Sequence, residues 1–130
     1  MGFGLSLLFI VIMVLIFQLE KNTFVNFNCV FIDNNKIKIG SNVLIGPGVH
    51  FYSSSHPVKS KERVKSDGQY ITNALPIKVG NNVWIGGNSS ICQGVKIGSN
   101  TTIGANSLVL SDIPDGVLAY GNPCKVIKKL

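Results

Sequence analysis

The sequence predicts an all-β fold, a parallel β-helix built from hexapeptide repeats. Three observations carry that expectation. A six-residue period runs through the C-terminal half, Gly and Asn recur at fixed places within it, and the chain is apolar but poor in charge. Of 130 residues, 45% are apolar and 14% are charged, and there are 14 glycines. Disorder is excluded, because disordered chains are charge-rich and poor in β-branched residues. Collagen is excluded, because the glycines do not fall at every third position.

In chain order, residues 1–21 come first, as an apolar segment with an unbroken apolar run from Leu7 to Phe17. The run is shorter than the roughly 17–25 residues a spanning helix needs. It also lacks the basic n-region and small-residue cleavage site of a secretory signal. It reads as foreign to the repeat domain that follows over residues 22–130.

The period is regular from Ile39, in Ile39-Gly-Ser-Asn-Val-Leu44 and Ile45-Gly-Pro-Gly-Val-His50. Residues 53–76 break it with a polar, basic loop that holds His56, one of only two histidines. Long loops without structure of their own are mostly functional in compact domains. From Val79 six blocks follow without interruption, ending with Val109-Leu-Ser-Asp-Ile-Pro114.

Each block has a physical logic. Six residues match neither the 3.6 period of a helix nor simple strand alternation; they fit short strands joined by tight turns. Ile or Val at position one packs into the axis. Gly at position two permits the backbone angles of a corner. Asn at position four tolerates a left-handed turn. A small or β-branched residue at position five fits where faces converge. Stacked coils then bury a continuous apolar column.

The net charge of +6 comes from 12 basic and 6 acidic residues. Four basic residues cluster in the loop (Lys59, Lys61, Arg63, Lys65) and three at the C-terminus (Lys125, Lys128, Lys129). This balance suits a phosphorylated cofactor or another anion. Nucleic acid is not expected, because no binding motif is present and no aromatic residues interleave the basic ones. Cys29, Cys92 and Cys124 are far apart and odd in number. They read as free thiols packed in a protein of a reducing, cytoplasmic compartment. No metal is expected, since neither histidine lies near a cysteine at ligand spacing.

Several segments together carry a family resemblance: Asn26-Phe-Asn-Cys-Val-Phe-Ile-Asp33, Gly46-Pro-Gly-Val-His50, His56-Pro57, Val79-Gly-Asn-Asn-Val-Trp-Ile-Gly86, Gly94-Val-Lys-Ile-Gly98 and Gly121-Asn-Pro-Cys-Lys-Val-Ile127. From about Lys21 to Leu130 the chain resembles the maltose/galactoside O-acetyltransferase family of hexapeptide-repeat acyltransferases. The resemblance implies a left-handed helix, a homotrimer, and acetyl-CoA lying in the cleft between adjacent subunits. The hand does not follow from the repeat itself.

The resemblance makes His56 the general base. A sugar hydroxyl is a poor nucleophile until a base takes its proton, and imidazole, with a pKa of about 6.5, suits that task at neutral pH. Asn26 and Asp33 match acceptor-binding positions, while Asn34 stands where galactoside members often have Asp, which leaves the acceptor open. Gly87 and Ala105 match positions that line the cofactor cleft, and an N–H near Gly87 would face the oxyanion. Leu110-Ser111 replaces the Thr-Lys that contacts the cofactor. Lys125 stands where arginine meets CoA phosphate, with Lys128 a turn further on, keeping the charge but losing the bidentate fork. His50 is expected to pack or support, and Trp84 to pack on a neighbouring subunit or on the loop.

The N-terminus departs from the family, whose members have a stretch like Pro-Phe-x-Cys-Asp-Tyr-Gly before Asn26. Permitted codons for Leu7 to Glu20, read two nucleotides along, can encode that stretch. Residues 1–21 are therefore expected to be a frameshifted translation of an ordinary coil, with a weak membrane anchor as the alternative. A +2 frame without Cys-Asp-Tyr-Gly removes this reading. For function, the alternatives to a sugar O-acetyltransferase are a catalytically impaired remnant of one, a hexapeptide acetyltransferase for a non-sugar acceptor, and a membrane-tethered interaction module.

Overall fold

The computed structural model describes residues 4–5, 9–12 and 17–130, with residues up to Phe17 as backbone only. The chain winds as a left-handed parallel β-helix with three flat sheets along its sides. Sheet A stacks Gly4–Leu5, Phe24–Val25, Leu44–Ile45, Trp84–Ile85, Thr102–Ile103 and Val117–Gly121. Sheet B stacks Phe9–Ile12, Cys29–Ile32, His50–Tyr52, Ser90–Cys92 and Leu108–Val109. Sheet C stacks Phe17–Leu19, Ile37–Ile39, Ile77–Val79 and Lys96–Ile97. Each turn of the helix therefore visits A, B and C in order, three hexads per coil. The coil that begins at Phe24 is called coil one here, and those that begin at Leu44, Trp84 and Thr102 are coils two, three and four.

The core is the column that the repeat predicts. Position one points inward at Ile39, Ile45, Ile85, Ile91, Ile97, Ile103 and Val109, and position five at Val43, Val49, Val83, Ser89, Thr101 and Ser107, all buried. Phe31 and Phe51 are buried in coils one and two and stack at 4.9 Å with rings nearly parallel. The buried hydroxyls find carbonyls nearby: Ser107 Oγ donates to Gly104 O at 2.6 Å, and Thr101 Oγ1 to Pro114 O at 2.9 Å. This satisfies polar groups that would otherwise be costly to bury.

Position four behaves as expected. Asn42, Asn82, Asn88, Asn100 and Asn106 all have φ between 55° and 60°, and Gly48 and Gly94 take the same place with φ of 69° and 78°. Position two does not. None of Gly40, Gly46, Gly80, Gly86, Gly98 and Gly104 has a positive φ. Their constraint is stacking: a Cβ on Gly46 would come within 2.6 Å of the Gly87 nitrogen, and one on Gly86 would strike the Ala105 backbone nitrogen. Glycine is there because successive coils touch at that corner.

Two more hexads lie upstream of the expected start. Leu19–Phe24 and Val25–Val30 carry Asn22 and Asn28 at position four, with φ of 59° and 58°, and bury Thr23 and Cys29 at position five. The described strands of the apolar N-terminal segment pair in parallel with coil one, Phe9–Ile12 on Cys29–Ile32 and Phe17–Leu19 on Ile37–Ile39.

The loop at 53–76 has structure of its own, contrary to the expectation of an irregular excursion. Ser54–Ser55 pairs antiparallel with Asn73–Ala74, a short 3-10 turn spans Ser60–Glu62, and Val64 bridges to Tyr70. It is a two-stranded arm rooted where sheet B turns into sheet C. The helix is closed at its far end by Cys124–Lys129, which folds back antiparallel on Val117–Gly121. Among the described residues no helix is long and apolar enough to cross a membrane.

Candidate active site

His56 is exposed near the root of the arm, directly after the strand Ser54–Ser55. Its Nδ1 lies 2.8 Å from Ile71 O on the returning side of the arm. A carbonyl oxygen only accepts, so this bond puts a proton on Nδ1, and in the neutral ring that leaves the lone pair on Nε2. Tyr70 meets the imidazole edge-on at 6.4 Å between ring centres. Arg63 braces the chain that follows, donating from Nε to Pro57 O at 2.9 Å and from Nη2 to Val58 O at 2.7 Å. Its role is therefore architectural as well as electrostatic. His56, Pro57, Val58, Arg63 and Tyr70 line an open cleft of about 560 Å³.

The other candidate residues fall into two vertical columns at opposite edges of sheet B. At the A–B corner stand Asn26 in coil one, Gly87 in coil three and Ala105 in coil four. Backbone bonds tie this corner together from coil to coil: Gly48 N to Phe27 O, Asn88 N to Pro47 O and Asn106 N to Gly87 O. Among the described residues no carbonyl accepts the Gly87 N–H. At the B–C corner stand Asp33 in coil one, the arm with His56 in coil two and Ser111 in coil four. Six or seven residues of each coil separate the two corners, as from Ala105 to Ser111, so within one chain the columns are up to roughly 20 Å apart.

Asp33 is buried, with 1% of its surface exposed, and its neighbour Asn34 is the exposed member of the turn. Asn34 Oδ1 accepts the Ser54 hydroxyl at 2.9 Å, which places it against the strand leading to His56. Asn26 is half-exposed, and its Oδ1 accepts the Phe27 N–H at 2.8 Å.

Lys125 and Lys128 lie on one strand, the closing strand Cys124–Lys129, rather than a turn apart. They pair with Tyr120 and Leu118, and a register shift leaves Ile127 without a partner. Directly opposite residues share a face. Leu118 and Tyr120 both point outward, so both lysines do too. Three-residue spacing in a regular strand would have put them on opposite faces; the bulge brings them together.

The chain is similar to a known set of proteins. Residues 76–111 match the family described as bacterial transferase hexapeptide (six repeats). The crystal structure of the hexapeptide-repeat-containing acetyltransferase of Vibrio cholerae, complexed with acetyl coenzyme A, superposes with a TM-score of 0.91 at 35% identity, over 100% of this chain and 70% of that one. The chain belongs to the hexapeptide-repeat acetyltransferase family. A maltose O-acetyltransferase from Clostridium difficile matches at 39% identity and a TM-score of 0.78, over 99% of this chain and 69% of that one. The galactoside O-acetyltransferase of Escherichia coli is 44% identical over 113 residues, 87% of this chain and 54% of that protein. The chain thus spans about half the length of the curated relatives it matches.

Other expectations also have their place in this family fold. Trp84 is 55% exposed on the outer face of sheet A, in one column with Leu44 and Phe24 at 54% and 41%. His50 stacks on Tyr52 at 5.6 Å on the outer face of sheet B, a packing role. Burial pushes all three thiols above their ordinary range, so thiolate is scarce at neutral pH. Among the described residues no cluster of His, Cys, Asp and Glu could hold a metal. The residues that sequence reasoning missed are the amides around the arm's root, Asn35 and Gln93. Asn35 Nδ2 donates to Ala74 O at 3.2 Å and Gln93 Nε2 to Ser55 Oγ at 2.5 Å. The available signal was a long amide at a turn position of the hexad.

Proposed function

We propose that the protein transfers an acetyl group from acetyl-CoA to a hydroxyl of a sugar, with His56 as general base. One observation carries this reading: the order of the candidate residues along the helix axis. Asn26 and Asp33 lie in coil one, His56 leaves coil two, and Gly87, Ala105 and Ser111 lie in coils three and four. Lys125 and Lys128 close the end. A base set between an acceptor and an acyl donor is the arrangement that direct transfer requires.

The free Nε2 of His56 takes the acceptor's hydroxyl proton as the oxygen attacks the thioester carbonyl. The Gly87 N–H faces the oxyanion of the tetrahedral intermediate. The C–S bond then breaks, and the CoA sulfur takes back the proton from Nε2. No acyl-enzyme forms, which suits thiols that burial keeps protonated. Asn26 serves the acceptor through its amide. Asp33 belongs to the same acceptor side through the turn that presents Asn34. Gly87 and Ala105 admit the pantetheine arm, Ser111 lines its path, and Lys125 and Lys128 meet the CoA phosphates.

The two corner columns are too far apart to act together within one chain, which supports a homotrimer with its sites between copies. The exposed column of Phe24, Leu44 and Trp84 beside the A–B corner is the kind of surface that a neighbouring copy covers. The free thiols suit a cytoplasmic protein.

The test is thiol release from acetyl-CoA with maltose, glucose or a β-galactoside as acceptor. His56→Ala is expected to lower kcat by about a hundredfold or more. Acceptor-dependent thiol release that survives this substitution sinks the assignment of His56.

A further inference from the structure

We propose that Gln93 is a positioning residue for His56: it grips the arm through Ser55 and keeps this role although its own amide oxygen is left unpaired. The inference rests on the catalytic reading of His56 but concerns a residue which that reading does not use.

The arm is held at its root by two turns of the helix. Below it, in coil one, Asn34 accepts the Ser54 hydroxyl, and Asn35 donates to Ala74 O on the returning strand. Above it, in coil three, Gln93 and Gly94 form the turn between Ser90–Cys92 and Lys96–Ile97. Gln93 Nε2 donates to Ser55 Oγ at 2.5 Å. Gly94, with φ of 78°, leaves room for Leu75: a Cβ there would lie 3.2 Å from Leu75 Cδ1. The coil-one turn thus bonds both strands of the arm, and the coil-three turn bonds one and lies beside the residue that follows the other. The relative placement of those strands aims the imidazole, because His56 follows one strand while the Ile71 carbonyl that holds Nδ1 precedes the other.

The Gln93 amide gains little stability from this arrangement. Among the described residues, no group donates to its Oε1, which is buried from solvent. A buried polar atom without a partner is destabilising. An apolar side chain of the same length would remove that atom and keep the packing. Retaining an amide at this position is therefore accounted for by the bond to Ser55, one residue before His56, rather than by the stability of the turn.

The experiment uses the full chain and three variants, Gln93→Met, Ser55→Ala and the double. Acetyl transfer, thermal unfolding and the His56 imidazole N–H resonance are measured on each. In Gln93→Met, kcat is expected to fall about ten- to hundredfold. KM for acetyl-CoA should stay within about twofold, because no cofactor contact changes. The melting temperature is expected to hold or rise. The double variant should lose no more than Gln93→Met alone, since both substitutions break one bond. The Nδ1–H signal should broaden or vanish in Gln93→Met and persist in the parent.

Unchanged kcat and an unchanged imidazole signal in Gln93→Met overturn the proposal, and so does a parallel fall of kcat and melting temperature, which marks a structural role. If His56→Ala is without effect but the imidazole signal still depends on Gln93, the positioning stands and the catalytic reading fails.

Discussion

At the scale of single residues, position four of the hexad shows how a local rule becomes a fold. Each corner there needs a left-handed residue, and asparagine supplies it at a lower cost than any branched side chain. Asn100 adds a bond, accepting from Asn82 Nδ2 at 3.1 Å across one eighteen-residue coil. Asn100→Gly is expected to change unfolding free energy by less than about 1 kcal/mol, because glycine takes positive φ freely. Asn100→Val should cost about 2 kcal/mol or more through left-handed strain. Urea unfolding of both variants measures the difference. This role was legible in the sequence, because the turn needs only its own residue. The neighbouring glycine was misread, because its constraint is the backbone of the next coil, eighteen residues or more away.

At the scale of elements, the arm and the closing strand carry residues of the proposed site, and both depend on irregularities. The break at 53–76 was plain in the sequence, whereas the pairing of Ser54–Ser55 with Asn73–Ala74 was not. These strands are two residues each, too short to show a period, and they are held by side-chain amides from other coils. The closing strand depends on its bulge at Ile127. Lys128→Ala is expected to raise KM for acetyl-CoA about tenfold by removing a charged contact to phosphate. Deleting Ile127 should leave KM near the parent value. The spacing of the two lysines then becomes two, and both still face outward without a bulge. Steady-state kinetics on the two variants separates charge from register.

At the scale of the whole molecule, the wide gap between the corner columns has a direct consequence. If a site joins the A–B corner of one copy to the arm of the next, defects in the two columns should complement. His56→Ala and Gly87→Trp are each expected to be inactive. Unfolding and refolding them together should restore part of the activity, because some sites then pair an intact arm with an intact corner. An inactive mixture that still forms mixed oligomers counts against the shared site. The apolar residues 1–21 remain a proposal of a different kind, a frameshifted coil, and the gene's +2 frame decides it.

The sequence by itself determined the β-helix, its period, its inward column, the place of the arm and the identity of His56 as the candidate base. These follow from interactions within one hexad or from a motif in one stretch of chain. Only the tertiary structure decided why glycine holds position two, which nitrogen of His56 is free, how the arm is clamped, and why Lys125 and Lys128 share a face. It also separated the candidate residues into two columns. Each of those facts depends on what one coil meets in the next or across the width of a sheet, and a linear pattern carries no record of that distance.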